Sequence, residues 1–387
     1  MKKILLGTTA LVSAGLIAGP ALASDPLTVT VGGTVTAGFY VIDADDAPAA
    51  FPAGPASFDD TDVKLVARNI DIKAEGTLDN GMVAGVLATL SLGDDWNTHF
   101  NNDATFRELF AYLEGGFGRF EIGGTDGAAF KMHYTSPWFV PGNGVDSPNI
   151  LNALSTAIFA TTAGTTTGAF RHSTLSLMAA DANKVTYFTP RFAGFQLGLS
   201  FSPDTGFNGP NPNGLALNTS NSSIEDVVEV ALNYAGSFGG LDLGLDGFYV
   251  SGDSPLAASS EPEEMGIGAN LGFGGFTLGG AWYSSEDLGL TSFPVASSFG
   301  LEEEVWTAGL SYATGPWTVG IAYLSDEISA NGPGSAEMST WQTGGGYNLG
   351  SGVDVGLDLQ MSTIDSGIAG IPDIDSQSAG LVLSVSF

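Results

Sequence analysis

The chain of 387 residues has no cysteine, which excludes disulfide staples and thiolate metal sites; only 14% of its residues are charged, against about 25% in ordinary soluble domains. It carries 42 acids and 11 bases, a formal net charge of −31, which repels phosphate and argues against nucleic acid as a partner.

Lys2 and Lys3 open a basic start, an apolar run follows over residues 4–22, and Ala21-Leu22-Ala23 supplies a small-x-small cleavage pattern. Residues 1–23 therefore read as a secretory signal peptide, with residues 24–387 as the mature domain. Its removal takes away two lysines and no acid, leaving 364 residues, nine bases and a net charge of −33.

No later segment has the ~20 consecutive apolar residues of a spanning helix. Instead the chain alternates apolar with small or polar residues over stretches close to the ~9–11 residues that cross a bilayer as a tilted strand. Leu27, Val29, Val31, Val35 and Phe39 share one face of the first stretch, and Thr28, Thr30, Thr34 and Thr36 the other. The same alternation runs through 195–201, through Leu241, Leu243 and Leu245 against Asp242, Gly244 and Asp246, and through 353–359. Sixteen strands are predicted, at 27–41, 63–76, 81–93, 104–115, 117–124, 183–189, 194–202, 226–237, 240–251, 263–273, 275–286, 300–313, 316–327, 336–349, 352–364 and 375–387. Short Gly-, Asn- or Asp-bearing turns alternate with long polar loops. With lysine absent after Lys184, the polar face is mostly Gly, Ser, Thr, Asn and Asp. That suits a wet lumen in which inward glycines leave room, and the fold class expected is an all-β transmembrane antiparallel barrel. Phe39, Phe201, Tyr234, Phe248, Trp282, Tyr312, Tyr323 and Tyr347 are expected outside, as aromatic girdles. The last strand ends on Phe387, on one face with Leu381, Leu383 and Val385, and reads as an assembly signal for the outer membrane.

Three stretches carry a resemblance: Asp71-Ile72-Lys73-Ala74-Glu75-Gly76; residues 106–113 with Gly118-Arg119-Phe120-Glu121-Ile122-Gly123-Gly124; and residues 183–190 with Phe192-Ala193-Gly194-Phe195. In this order they are similar to the Gram-negative general porin family, particularly its Rhodobacter-type trimeric branch. Gly124 and Asn69 depart from it, standing where relatives carry arginine. The resemblance implies a homotrimer, and a long third loop folded into the lumen. The segment 125–182 has no convincing strand alternation and takes that role, with a short helix possible over 149–154.

In such a constriction, acids on the loop face bases on the wall. Lys73, Arg107, Arg171 and Lys184 are the candidate basic wall, with Lys73 inward by parity and Arg107 carried over from the family pattern. Asp126 and Asp146 are the loop acids, and Asp71, Glu75, Glu121, Glu229, Asp242, Asp246, Asp354 and Asp358 the inward lumen acids, which implies a weak cation preference. Outer-membrane lipid and lipopolysaccharide, ions and small hydrophilic solutes are the expected partners. No cofactor is implied, beyond divalent cations that acidic clusters such as 59–62, 261–264 and 302–304 could bind. His99, His133 and His172 form no HExxH motif or triad pattern, so no enzyme is expected. A plugged structural barrel and a substrate-specific channel are the alternatives to a passive pore.

Overall fold

The computed structural model describes residues 27–46, 59–92, 104–148, 150–154, 158–160, 167–206, 223–254, 261–286, 301–330, 335–365 and 372–387; residues 1–23, expected as a signal peptide, lie outside these. Five strands precede the long loop: β1 (Thr28–Ala44), β2 (Thr61–Thr77), β3 (Val83–Leu92), β4 (Ala104–Gly115) and β5 (Gly118–Gly124). The loop holds one helical turn, α1 (Ala128–Lys131), and a small hairpin, β6 (Ile158–Ala160) with β7 (Thr167–Ala169). Eleven strands follow: β8 (Asn183–Phe188), β9 (Phe195–Asp204), β10 (Glu225–Phe238), β11 (Leu241–Asp253), β12 (Glu263–Phe273), β13 (Phe276–Glu286), β14 (Leu301–Thr314), β15 (Trp317–Ala330), β16 (Ser335–Gly350), β17 (Val353–Asp365) and β18 (Ile374–Ser386). All but β6 and β7 form one closed antiparallel barrel of sixteen strands, matching the sixteen segments expected.

Closure is made by β1 against β18, from Thr34↔Ser386 to Ala44↔Ser376. The terminal residue extends it: the Gly33 N–H donates to the Phe387 carbonyl and the Phe387 N–H to that of Gly33, both at 3.0 Å. No strand of the barrel is left as an edge, so the backbone groups that hydrocarbon cannot solvate are paired.

Side-chain parity then sorts the two faces. On β15, Trp317, Val319, Ile321 and Tyr323 are exposed or half-exposed on the outside, while Ala322 and Leu324 point inward and are buried. Comparable apolar rows cover β1, β12, β13 and β18, an outer surface that water does not tolerate and a bilayer does. Aromatic pairs ring the short-turn end: Phe195–Tyr234 at 4.8 Å, Phe276–Tyr312 at 4.4 Å and Trp317–Tyr347 at 4.5 Å. A second row, Trp306–Tyr323–Trp341, lies six residues further along, about 20 Å of strand. Phe248 departs from the expected girdle. Its strand neighbours Gly247 and Tyr249 take the outward positions, so its ring turns inward and meets His133 edge-on at 5.1 Å.

The tight turns follow from glycine. Gly239 and Gly240 (φ 59° and 87°) and Gly274 and Gly275 (φ 57° and 92°) link directly paired residues, Phe238↔Leu241 and Phe273↔Phe276. Two successive positive φ angles match the twist of a two-residue hairpin turn. The helix expected over 149–154 is absent among the described residues 150–154. So short a run cannot repay helix nucleation. Instead, the Asn143 side chain accepts the Leu151 N–H (3.0 Å), and Asn152 Nδ2 donates to Gln360 (2.9 Å) and Ser362 (2.6 Å) on the wall.

The outer face of β15 offers a test of membrane embedding. Ile321→Arg, midway between the Trp317 and Tyr323 levels, is expected to lower the unfolding free energy in lipid vesicles by about 2–4 kcal/mol. Denaturant titration of the folded protein measures it.

Candidate functional site: a loop-lined constriction

The described residues of the loop 125–182 run along the inside of the barrel, and several of the strands they cross supply anchors. The N–H of Ala128 donates to Ser200 Oγ on β9 (2.8 Å), and that of Ala129 to Glu229 on β10 (2.9 Å). Asp246 on β11 takes the His133 ring (2.7 Å) and the Tyr134 N–H (2.7 Å). The Thr307 hydroxyl on β14 donates to that of Ser136 (2.9 Å), and Asn143 Nδ2 reaches Asp358 on β17 (2.6 Å).

A row of inward glycines makes room for this leg: Gly244, Gly268, Gly279, Gly309, Gly320, Gly346 and Gly356, one on each of β11 to β17. A Cβ there would come within 2.6 Å of Tyr134 at Gly244, 3.1 Å of Pro137 at Gly309 and 3.1 Å of Pro141 at Gly346. The inward glycines thus form a groove that the loop fills, rather than open lumen.

The return leg crosses nearer the long-loop end. The Arg171 guanidinium lies 3.8 Å over the Tyr283 ring, 3.6 Å from Glu264 and 3.5 Å from Glu303. The His172 N–H donates to Asp326 (3.0 Å), and burial pushes its imidazole down to about 4. Asp146 ties the two legs together, accepting from Ser173 Oγ (3.0 Å) and from the Thr174 N–H (2.8 Å) and hydroxyl (2.5 Å). Under the loop, Val250, Val305, Leu324 and Ile328 face inward and are fully buried, so apolar residues sit between the acids where the loop covers the wall.

These contacts redistribute the candidate residues. Glu229, Asp246 and Asp358 are inward as expected, but the loop covers them and they hold it instead of facing water. Arg171 is buried within its acid and tyrosine contacts. Lys184 is buried at the loop's root, its ammonium donating to the carbonyls of Thr125, Ala179 and Ala180. Asp146 is wholly buried inside the loop, its carboxyl pushed up by burial and held down by Thr174 and Ser173. None of these six lines open water, because loop packing removes from solvent the wall and loop sites it uses.

On the wall from β2 to β5, Asp71, Lys73, Glu75 and Arg119 stay partly accessible. Lys73 pairs with Glu75 (2.8 Å), which also accepts the Tyr112 hydroxyl, and Asp71 accepts that of Thr89 (2.8 Å). Asp242 and Asp354 sit beside short turns, bound by Ser237 (2.5 Å) and Asn348 (2.7 Å). Glu121 is buried between Arg119 (2.7 Å) and Lys131 (2.6 Å). Arg119 and Lys131 were not among the sequence candidates. Arg119 was legible, because it alternates with the outward Phe120 and Ile122; Lys131 lies in the loop, where no period points to it.

Arg107 reaches the constriction by an irregularity. Strict alternation would put it on the face of Leu109 and Ala111, which point outward. The register jumps from Thr89↔Glu108 to Leu90↔Phe106, leaving Arg107 as a bulged residue. Its guanidinium lies 3.3 Å from Glu108, 3.8 Å from Asp126 and 3.5 Å from Asp181. These acids are the one group among the described residues that could hold a metal ion, and Arg107 brings the positive charge to it. Burial, and then the charge of Asp126, pushes the Asp181 carboxyl up to about 7. Burial pushes Asp126 up too, opposed by Arg107.

A sixteen-stranded barrel, apolar outside and narrowed from within by a pinned loop, has the architecture of an outer-membrane channel. The chain belongs to the Gram-negative porin family, whose sequence profile matches residues 7–367. Its fold is similar to the anion-selective porin of Comamonas acidovorans, with TM-score 0.59 and 18% identity over 93% of this chain and 100% of that one. It is also similar to Salmonella typhi OmpF in complex with daunomycin (0.62, 15%, 94% and 98%) and to the outer-membrane channel DcaP of Acinetobacter baumannii (0.61, 13%, 94% and 98%). No curated protein matches the chain in sequence.

Two outcomes follow. Gly320→Leu is expected to push Phe139 and its loop off the wall into the lumen, lowering single-channel conductance and costing about 1–3 kcal/mol of stability. Burial holds Asp181 above the ordinary carboxylate range, so its contribution favours the folded loop root at low pH and is lost as pH rises through about 7. Acidification from about pH 8 to about pH 6 should remove one negative charge beside Arg107 and shift the reversal potential toward anions. Asp181→Asn should abolish that shift.

Proposed function

We propose that the protein is a passive channel of the bacterial outer membrane, exported through the periplasm and assembled as a homotrimer. Ions and small hydrophilic solutes diffuse through its water-filled lumen; it is not an enzyme. The observation that carries this reading is the asymmetry of the lumen. The loop is fastened to the wall from β9 to β17, while Lys73, Glu75, Asp71 and Arg119 on β2 to β5 keep access to water. The described residues of a loop so anchored narrow the pore mainly from the β9–β17 side.

Arg107 and Lys73 on one side, with Asp126 and Asp181 at the loop root, set the field across the opening. A weak cation preference is supported by the mature charge of −33 and by Asp242 and Asp354 beside the short turns. Trimer assembly is supported by Ala37 among the outward positions of β1, a small residue that lets two walls approach; Gly33 on the same face is covered by the Phe387 ring. A Vibrio cholerae OmpT of similar fold is described in a trimer form.

Planar-bilayer recording under a potassium chloride gradient tests the reading. Conductance steps in groups of three with a cation-leaning reversal potential are the expected result, and folded, inserted protein without steps overturns it. Arg107→Gln and Lys73→Gln should each raise the cation preference; unchanged reversal potentials in both would remove these residues from the constriction.

A further inference from the structure

The nine bases of the mature chain end at Arg191, and the acids run on to the C-terminal strand. Against that background one cavity stands out. It holds about 430 Å³ inside the barrel at the short-turn end, between the β4–β5 and β8–β9 turns. Arg119, Lys131 and Arg191 line it together, with Met132 and Phe188 supplying an apolar floor.

The charges of this cavity do not cancel. Glu121, 4% exposed, sits behind Arg119 and Lys131 and is shared by both, while those two side chains remain 30% and 25% exposed. Glu114 meets Arg119 at 3.1 Å but is 52% exposed at the rim, where water screens it. Arg191 donates only to neutral acceptors: the Gly194 carbonyl (2.6 Å), Gln196 (2.9 Å) and Asn233 (2.8 Å). Three cations thus face two carboxylates, a net positive pocket in a strongly acidic protein. The bases are also held in place. Arg119 stacks 3.9 Å from the Tyr112 ring centroid and the Lys131 ammonium 4.7 Å from that of Phe110, which limits the ordering a ligand must impose.

We propose that this cavity is a binding subsite for small organic carboxylates with an apolar body, at the short-turn mouth of the pore. Arg191 and Arg119 bring guanidinium charge and their remaining N–H donors to a carboxylate, Lys131 adds a point charge, and Met132 and Phe188 take the hydrocarbon part. The proposal rests on the channel reading and adds to it that passage of such anions saturates, whereas that of inorganic ions follows concentration.

The test is single-channel recording of the mature protein with benzoate added to one side at a time, and benzamide as the uncharged control. Benzoate added at the short-turn side should reduce the potassium chloride current with a saturating dose dependence, and benzamide should not. Arg191→Gln should weaken the apparent affinity about tenfold, and Lys131→Met should also weaken it. Equal block by benzamide, or benzoate block unchanged in both variants, overturns the subsite while leaving the channel intact. Should the protein not conduct at all, the channel reading fails by itself. Calorimetric titration of benzoate into the detergent-folded protein then decides the subsite: heat that Arg191→Gln removes supports it, and no heat rejects it.

Discussion

Everything in this molecule follows from the demand that no backbone group be left bare in hydrocarbon. A ladder hydrogen bond contributes only about 1 kcal/mol net in water, yet an unpaired N–H or C=O inside a bilayer costs on the order of several kcal/mol. Closing the sheet is the solution open to strands, and the chain uses its whole length to do it. Gly33 in the first strand and Phe387 after the last complete each other's hydrogen bonds. Closure fixes which side of every strand meets lipid, and with it the outward Val, Leu, Ile and aromatic rows.

Once closed, the barrel has an inner face free of that constraint, and the long loop uses it. Its grip has three parts that act together: a glycine groove that admits backbone at close range, buried acids that accept loop N–H groups, and an apolar layer beneath. Buried carboxylates are costly unless paired or hydrogen-bonded. Here Asp246, Glu229 and Asp358 each find loop donors. Arg171, stacked on Tyr283, counters Glu264 and Glu303 on the return leg. Much of the acid content of the wall is thereby spent on holding the loop, and the electrostatics of the opening are left to a smaller set of residues on β2 to β5 and at the loop root.

That smaller set is organised in pairs and triplets rather than in two opposed rows. Lys73 sits beside Glu75, Arg119 and Lys131 share Glu121, and Arg107 faces Glu108, Asp126 and Asp181. Such pairing keeps the local field modest and directional, and it places a base, Lys131, on the loop itself.

The strands were legible because membrane strands obey one local rule. Lipid outside and small or polar residues inside impose a period of two, so all sixteen segments and most outward residues can be read from the chain one window at a time. The inward direction of Lys73, Asp71 and Glu229 followed from the same parity. What parity could not carry was anything set by a partner distant in sequence. The Arg107 side chain is turned by a register slip against β3, and Asp246 and Asp358 lose their water to residues more than a hundred positions away. The inward glycines look alike in sequence whether they leave space or receive a loop, and only the fold shows Tyr134, Pro137 and Pro141 lying on them. Thus the sequence by itself determined the barrel, its lipid face and its acidic balance, since these depend on local alternation and composition. The tertiary structure alone decided which charges meet water, because solvent access inside the barrel is set by where the loop comes to rest.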